Sequence, residues 1–385
     1  MSTFSFPTAF SHWGDEEKEA ISRVLSSERY TMMFDGRETE AFEAEFGAYH
    51  GMKHCVAVNS GSSANLVAVA ALFHLSTNPL KPGDKAIVPA IAWATTYAPL
   101  VQMGLDLVVA DVESNWNAEP IGSPYEQSKI GARLAVICPV LGTPLEFTQQ
   151  WQGRCAYDGT YLIEDCCESL GASTHGKRCG TFGLMNTFSF FHSHQISAIE
   201  GGAILTDDDE CARLCRLLRN HGNAGFVDKA TDFDKTYDFV LFGYNVRPLE
   251  LHMAIAREQL RKLDTFVLAR NENLAYFWTM AGELQRAGKL IRPRVNGSMS
   301  PFGLHFEVAD AATRKRLVTA LRANSVDARL PTGGSFRLHS YAARWASQQT
   351  PRADEIATRG LFLGNAPYPI EDKIDRAIKV MKEVL

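Results

Sequence analysis

The stretch FSFFHSHQISAIEGGAIL, Phe188–Leu205, decides the fold and raises the chemical question. A strand-like run, NTFSFF (186–191), gives way to a strand-to-loop passage bearing Ser189 and His194. Glu200, Gly201 and Gly202 then turn the chain sharply into a second apolar run, AILTDD. No lysine lies between 188 and 205, and the polar side chains of the stretch include the imidazole of His194. A lone histidine is more often structural than catalytic, and its meaning depends on its surroundings.

Working outward, short apolar runs alternate with helical or turn segments: HCVAVNS (54–60), DKAIVPAI (84–91), LDLVVADV (105–112), LAVICPVLG (134–142), YLIEDCCE (161–168), NTFSFF and GGAILTDD (201–208). Continuous apolar runs suit strands covered by helices on both faces, which predicts an α/β domain with a mostly parallel sheet. RPLELHMAIAREQLRKLD (247–264) predicts a long helix, with Pro248 in its first turn and Leu249, Met253, Ala254, Ala256 and Leu260 at helical spacing. After Pro293 the pattern becomes strand (PFGLHFEV), helix (AATRKRLVTALRAN) and strand (VDARL), a smaller α+β domain. The predicted division is 1–260 for the large domain with its N-terminal segment and 261–385 for the small one.

At 385 residues the chain can bury a large core. Its net charge of -5 is spread over interspersed acids and bases, which disfavours nucleic acid as a partner. The N-terminal MSTFSFPTAFSHWGDEEKEA has no basic region ahead of an apolar stretch, and no window reaches the roughly 18 uninterrupted apolar residues of a membrane span. A cytoplasmic protein is expected. The eight cysteines include no C-x-x-C pair and read as reduced, buried thiols, with neither zinc nor an iron–sulfur centre expected. Cys166 and Cys167 flank a candidate site; on a strand they would point to opposite faces, so at most one lines it.

Three further stretches can carry chemistry. In NSGSSANLVAVAALF (59–73) a strand ends in a Gly/Ser turn containing Gly61, and Ser62 and Ser63 open a helix whose free amides favour a phosphate. A simple N-cap reads the same way. Trp93, in AIAWATTYAP, follows a strand at the end where α/β sheets place ligands and can stack on a planar cofactor; a core tryptophan is an equal reading. YLIEDCCESLGA (161–172) puts Glu164 and Asp165 directly after YLI, with Glu168 three residues beyond Asp165. Acids at the end of a buried strand need a cationic partner or hydrogen bonds, and a protonated pyridine nitrogen is one such partner. HGNAGF (221–226), with His221, and FGYNVRPLE (242–250), with Asn245 and Arg247, are polar, glycine-bearing loops. The stretch 115–131 is polar and offers no nucleotide-reading motif.

Taken together, GSSAN, the tryptophan, IEDCCESLGA, FSFFHSH with EGG, and GYNVRP resemble, in this order, the sugar aminotransferase family of fold type I pyridoxal phosphate enzymes, which act on nucleotide-linked 4-keto sugars. The resemblance spans essentially the whole chain. It places His194, six positions before Glu200, where the family carries its cofactor-binding lysine, with Ser189 five positions earlier. Histidine at that position is similar to the sugar 3-dehydratase branch, and EDCCESLGA, CGTFGLMNTFSFFHSH, IEGG and FGYNVRPLE fit that branch. Gln195 departs from it, standing where the branch tends to carry a second histidine.

The resemblance implies pyridoxal 5'-phosphate, cycling with pyridoxamine 5'-phosphate, held without a covalent bond. Lysine can both bond the cofactor aldehyde and carry protons; imidazole can do only the second, at a pKa suited to cellular pH. It implies phosphate contacts at Gly61, Ser62, Ser63 and Ser189, the ring at Trp93, the pyridine nitrogen at Asp165, and support from Glu168. Asn245 would complete the site of a neighbouring subunit, which requires a homodimer with shared active sites. His221 matches a second active-site histidine, and Arg247 and Arg329 are the candidate substrate-binding residues. The implied reaction uses L-glutamate as amino donor and removes the C3 hydroxyl of GDP-4-keto-6-deoxy-D-mannose, releasing ammonia and a 3,6-dideoxy-4-keto sugar, in a colitose-type pathway for a lipopolysaccharide O-antigen. The alternatives are an aminotransferase that tolerates histidine and a catalytically silent nucleotide-sugar-binding subunit.

Overall fold

All seven apolar runs enter one sheet. The structure, a computed structural model, describes residues 4–10, 12–33, 36–118, 130–295 and 297–385. The strands are β1 (His54–Val58), β2 (Lys85–Pro89), β3 (Asp106–Ala110), β4 (Ala132–Ile137), β5 (Tyr161–Asp165), β8 (Met185–Ser189) and β9 (Gly202–Thr206); β6 (Ser173–Thr174) and β7 (Lys177–Arg178) form a separate hairpin. Their order is β1-β9-β8-β5-β4-β2-β3, with β9 antiparallel to both neighbours and the other pairs parallel.

Helices cover both faces, which is why β8 and β9 are buried at every residue. On one face the apolar helix Gly61–Leu72 lies on β8 and β9 and is itself covered by the helix Asp209–Arg219. The latter buries Cys211, Leu214, Cys215 and Leu218 and leaves Arg213 exposed, the spacing of a one-sided helix. Asp208 caps it by accepting the Cys211 amide at 2.8 Å. On the other face, Phe42 and Phe46 of the helix Arg37–His50 meet Phe188 and Phe190 edge-on at 5.1–5.4 Å.

The long helix runs from Glu250 to Met280, 31 residues. Pro248 is not in its first turn as expected: Leu249 is extended and bridges Thr31, and the Glu250 amide donates to the Tyr30 carbonyl at 3.1 Å. This tertiary pairing delays the helix past the proline. The helix passes through residue 260 without a break; its last turns bring Leu274, Phe277 and Trp278 into a second core. That core sits on an antiparallel sheet, β10 (Gly303–Glu307), β12 (Gly360–Gly364) and β11 (Ala328–Arg329) in spatial order, with the helices Ala311–Ala323 and Glu371–Val384. Phe6 and Phe10, from the other end of the chain, belong to it too. Among the described residues no helix is long and apolar enough to cross a membrane.

Candidate active site

β1, β2, β4, β5 and β8 point the same way, so their carboxyl ends and the helices that follow converge on one edge of the sheet. Two glycines let this edge close. A Cβ on Gly202 would lie 2.4 Å from the Ser60 carbonyl oxygen, and one on Gly61 would lie 2.5 Å from Ser189 Cβ and 2.8 Å from Cys167 Sγ. The start of the helix Gly61–Leu72 therefore abuts Ser189 at the end of β8 and the turn after β5. Ser60 is the cap, accepting the Ser63 amide at 3.1 Å; Ser62 Oγ donates to Thr95 Oγ1 at 2.9 Å. The cap satisfies the Ser63 amide, and the Gly61 and Ser62 amides before it are the helix-start donors that suit an anion.

Asp165 ends β5 almost wholly buried, and no cation pairs with it among the described residues. Its Oδ2 accepts from Asn65 Nδ2 and Thr96 Oγ1, both at 2.8 Å, and Asn65 is oriented by Thr187 Oγ1 at 2.6 Å. Glu164 faces the opposite side of the sheet, where the Phe182 amide donates to it at 3.2 Å; burial pushes its carboxyl up to about 7. Strand alternation thus separates the two acids, leaving Asp165 rather than Glu164 at the site. Beyond β5, Cys166 packs into the core with Cys179 and Phe188, while Cys167 lies beside Gly61.

His194 closes the site from the loop after β8. Its Nδ1 hydrogen bonds to the Cys167 carbonyl, which can only accept, so Nδ1 carries the proton and Nε2 presents a lone pair. Burial pushes its pKa down to about 4, outweighing the opposing effect of that bond. The Phe302 ring meets the imidazole edge-on at 5.1 Å. Gln195 points away and staples the loop, its Nε2 donating to the carbonyls of Glu168 at 2.6 Å and Ser300 at 3.0 Å. The Glu168 carboxylate accepts from the Leu141 amide at 2.9 Å and Thr332 Oγ1 at 3.0 Å, and burial raises it to about 7. Trp93 caps the helix Ala94–Gln102 with its indole 58% exposed, a large apolar face left uncovered at the carboxyl edge.

A buried carboxylate lacking a cation, an uncovered aromatic face and an anion-ready helix start fit a planar phosphorylated pyridinium. The structure brings together Gly61, Ser62, Ser63, Trp93, Asp165, Glu168, Ser189 and His194. It does not bring His221 to His194: that side chain is exposed, and among the described residues no hydrogen bond or ring contact joins the two. Asn245 is exposed and bridges Asn220 through the backbone, and Arg247 donates to the Asn220 side chain. Arg329 is exposed on β11, three residues before Thr332. Residues 119–129 of the polar stretch lie outside the described residues. Asn65, Thr96, Thr187, Thr332 and Phe302 were not singled out from the sequence, although a buried asparagine in an otherwise apolar helix was a visible anomaly.

Residues 12–382 match the model of the DegT/DnrJ/EryC1/StrS aminotransferase family. The chain is 36% identical to GDP-4-keto-6-deoxy-D-mannose 3-dehydratase of Escherichia coli O55:H7 (strain CB9615 / EPEC), over 98% of this chain and 100% of the relative. Among solved structures it is similar to E. coli GDP-4-keto-6-deoxy-D-mannose-3-dehydratase with bound hydrated PLP, at TM-score 0.90 and 34% identity, covering 98% and 99% of the two chains. It is equally similar in sequence, at 34% identity and TM-score 0.88 over 98% and 100% of the chains, to GDP-4-keto-6-deoxymannose-3-dehydratase with a trapped PLP-glutamate geminal diamine. With a family match over nearly its whole length and a fold type I sheet behind the site, the chain belongs to the DegT/DnrJ/EryC1/StrS aminotransferase family.

Proposed function

We propose that the protein is a pyridoxal phosphate- and glutamate-dependent 3-dehydratase acting on GDP-4-keto-6-deoxy-D-mannose. The observation that carries this reading is His194, with its Nε2 lone pair free, at the position where an aminotransferase needs an amine. Similarity to a 3-dehydratase over essentially both whole chains supports it.

Bound at this edge, the cofactor in its amine form supplies an electron sink that lets the sugar's C3 hydroxyl leave. The Gly61 and Ser62 amides and the hydroxyls of Ser62 and Ser63, with Ser189, would hold its phosphate. Asp165, fixed by Asn65 and Thr96, supplies the counter-charge for a protonated ring nitrogen, and Trp93 covers the ring. His194 Nε2, neutral at cellular pH, takes a proton and returns it to the departing hydroxyl. Having no amine, His194 cannot recapture the cofactor covalently; the sugar would leave as an unsaturated amine, which tautomerises to the imine and is hydrolysed by water to ammonia and the 3-deoxy-4-keto sugar. Arg247, Arg329 and His221 are proposed for the substrate side. Asn245 is proposed to complete the site of a second copy in a homodimer, consistent with its exposed side chain.

The division into 1–260 and 261–385 is kept as a proposal, with the long helix shared between the parts. A cytoplasmic location and a colitose-type pathway for O-antigen complete the reading. Adding L-glutamate to the cofactor-loaded protein tests it: the aldehyde absorbance should convert to that of the amine form. A spectrum that ignores glutamate would instead identify a silent binding subunit.

A further inference from the structure

We infer that Arg270 is a positioning residue for the reaction: from the long helix it holds the Pro301–Phe302 segment so that the Phe302 ring stays packed on His194. This rests on the reading of His194 as the acid/base.

Arg270 has no solvent exposure. Its Nη1 donates to the carbonyls of Pro301 (3.4 Å), Phe302 (3.2 Å) and Asn365 (2.8 Å), while Nε and Nη2 have no partner among the described residues. Among the described residues no carboxylate pairs with it. A buried guanidinium neutralised only by carbonyl dipoles is a costly arrangement, and an apolar side chain would fill the space at less cost to stability. What the charge does obtain is control of one segment.

Residues 299–302 are tied on three sides. Asn271 Nδ2 donates to the Met299 carbonyl at 2.9 Å. The Ser300 and Phe302 amides donate to the carbonyls of Gly142 (3.0 Å) and Leu141 (3.1 Å), next to the amide that holds Glu168. Gln195 grips the Ser300 carbonyl. The segment presents the Phe302 ring to His194, edge-on at 72°. Among the described residues, the charged or titratable groups acting on that imidazole are His192 on its own loop and Arg270 behind Phe302; Asp165 at the end of β5 and Glu168 beyond it belong to the same edge of the sheet. Arg270 and His192 both disfavour a second positive charge, in the same direction as the dry packing of the ring.

The test uses 13C-labelled histidine NMR on the purified protein, with and without pyridoxal phosphate, the His194 resonance being assigned by its loss in His194→Asn. Arg270→Met should raise the His194 pKa by about half a pH unit or more and move the acid limb of the dehydration pH profile with it, while Arg270→Lys restores both. A folded Arg270→Met protein with neither quantity moved overturns the inference. Should Arg270→Met fail to fold, Phe302→Leu keeps the guanidinium and removes the ring: a raised His194 pKa supports the inference and an unchanged one overturns it. Dehydration surviving in His194→Asn would overturn the proposed function instead, and would leave the NMR result as a separate outcome.

Discussion

His194 donates its Nδ1–H to the main-chain oxygen of Cys167, so the proposed acid/base and the turn that follows Asp165 form one unit. The carbonyl can only accept, which fixes the tautomer and leaves Nε2 as the base. His194→Asn should lower dehydration by about 10²- to 10⁴-fold, the usual contribution of a positioned acid/base. His194→Lys should add a covalent cofactor band to the absorbance spectrum while dehydration falls. Dehydration at the parental rate in both variants would remove His194 from the mechanism.

Asp165 is the second fixed point. Asp165→Asn leaves the bonds to Asn65 and Thr96 largely possible but removes the charge proposed to meet the ring nitrogen. Cofactor affinity should fall by about 10-fold or more, the size of a lost charge-assisted hydrogen bond, and Thr96→Val should cost less. Equilibrium dialysis against pyridoxal phosphate reads both; equal affinity in all three proteins would mean that the carboxylate does not meet the cofactor.

At Gly61 a methyl group would lie 2.5 Å from Ser189 Cβ and 2.8 Å from Cys167 Sγ. Gly61→Ala should therefore push the helix start away from Ser189 and spread the proposed phosphate site, costing about 1–3 kcal/mol of stability together with cofactor affinity. Denaturant unfolding measures the first and dialysis the second. A variant matching the parent in both would show that the helix start can slide.

Glu164, on the far side of β5, predicts a pH effect separate from catalysis. Its pKa is raised from 4.5 to about 7 by burial, so the folded protein binds more protons than the unfolded chain in that window. The stability it contributes is complete below pH 4.5 and is lost as pH rises through 7. Glu164→Gln, which cannot titrate, should gain on the parent by on the order of 2 kcal/mol between pH 5 and pH 8. Unfolding curves giving the same difference at both pH values would show that Glu164 stays ionised throughout.

If Asn245 serves a neighbouring subunit, two inactive variants complement each other. A random mixture of His194→Asn and Asn245→Ala chains forms mixed dimers with one doubly defective and one intact site, restoring about a quarter of the parental activity. No recovery after subunit exchange would confine each site to one chain.

Much of this was readable in the residues. The seven strands announced themselves as continuous apolar runs because helices cover both sheet faces, and the segment Phe188–Leu205, through its resemblance to the family, pointed to His194 as the expected acid/base. What escaped reading was set by tertiary contact. Pairing of Leu249 with Thr31 moved the helix start past Pro248, and the small sheet's middle strand, β12, was overlooked although GLFLG is apolar. Asn65, Thr96 and Thr332 orient the acids from helices and turns distant in sequence, and nothing in their local pattern says which carboxylate they will meet. Asn245 and His221 are exposed, and the roles proposed for them rest on the resemblance rather than on contacts within this chain.

The central claim is tested most directly by mass spectrometry of the sugar formed when the purified protein is incubated with pyridoxal phosphate, L-glutamate and GDP-4-keto-6-deoxy-D-mannose, with ammonia assayed alongside. The account predicts a sugar lighter by one oxygen and release of ammonia in equal amount. A product in which nitrogen replaces the C4 ketone oxygen, with no ammonia released, would contradict it and make the protein an aminotransferase.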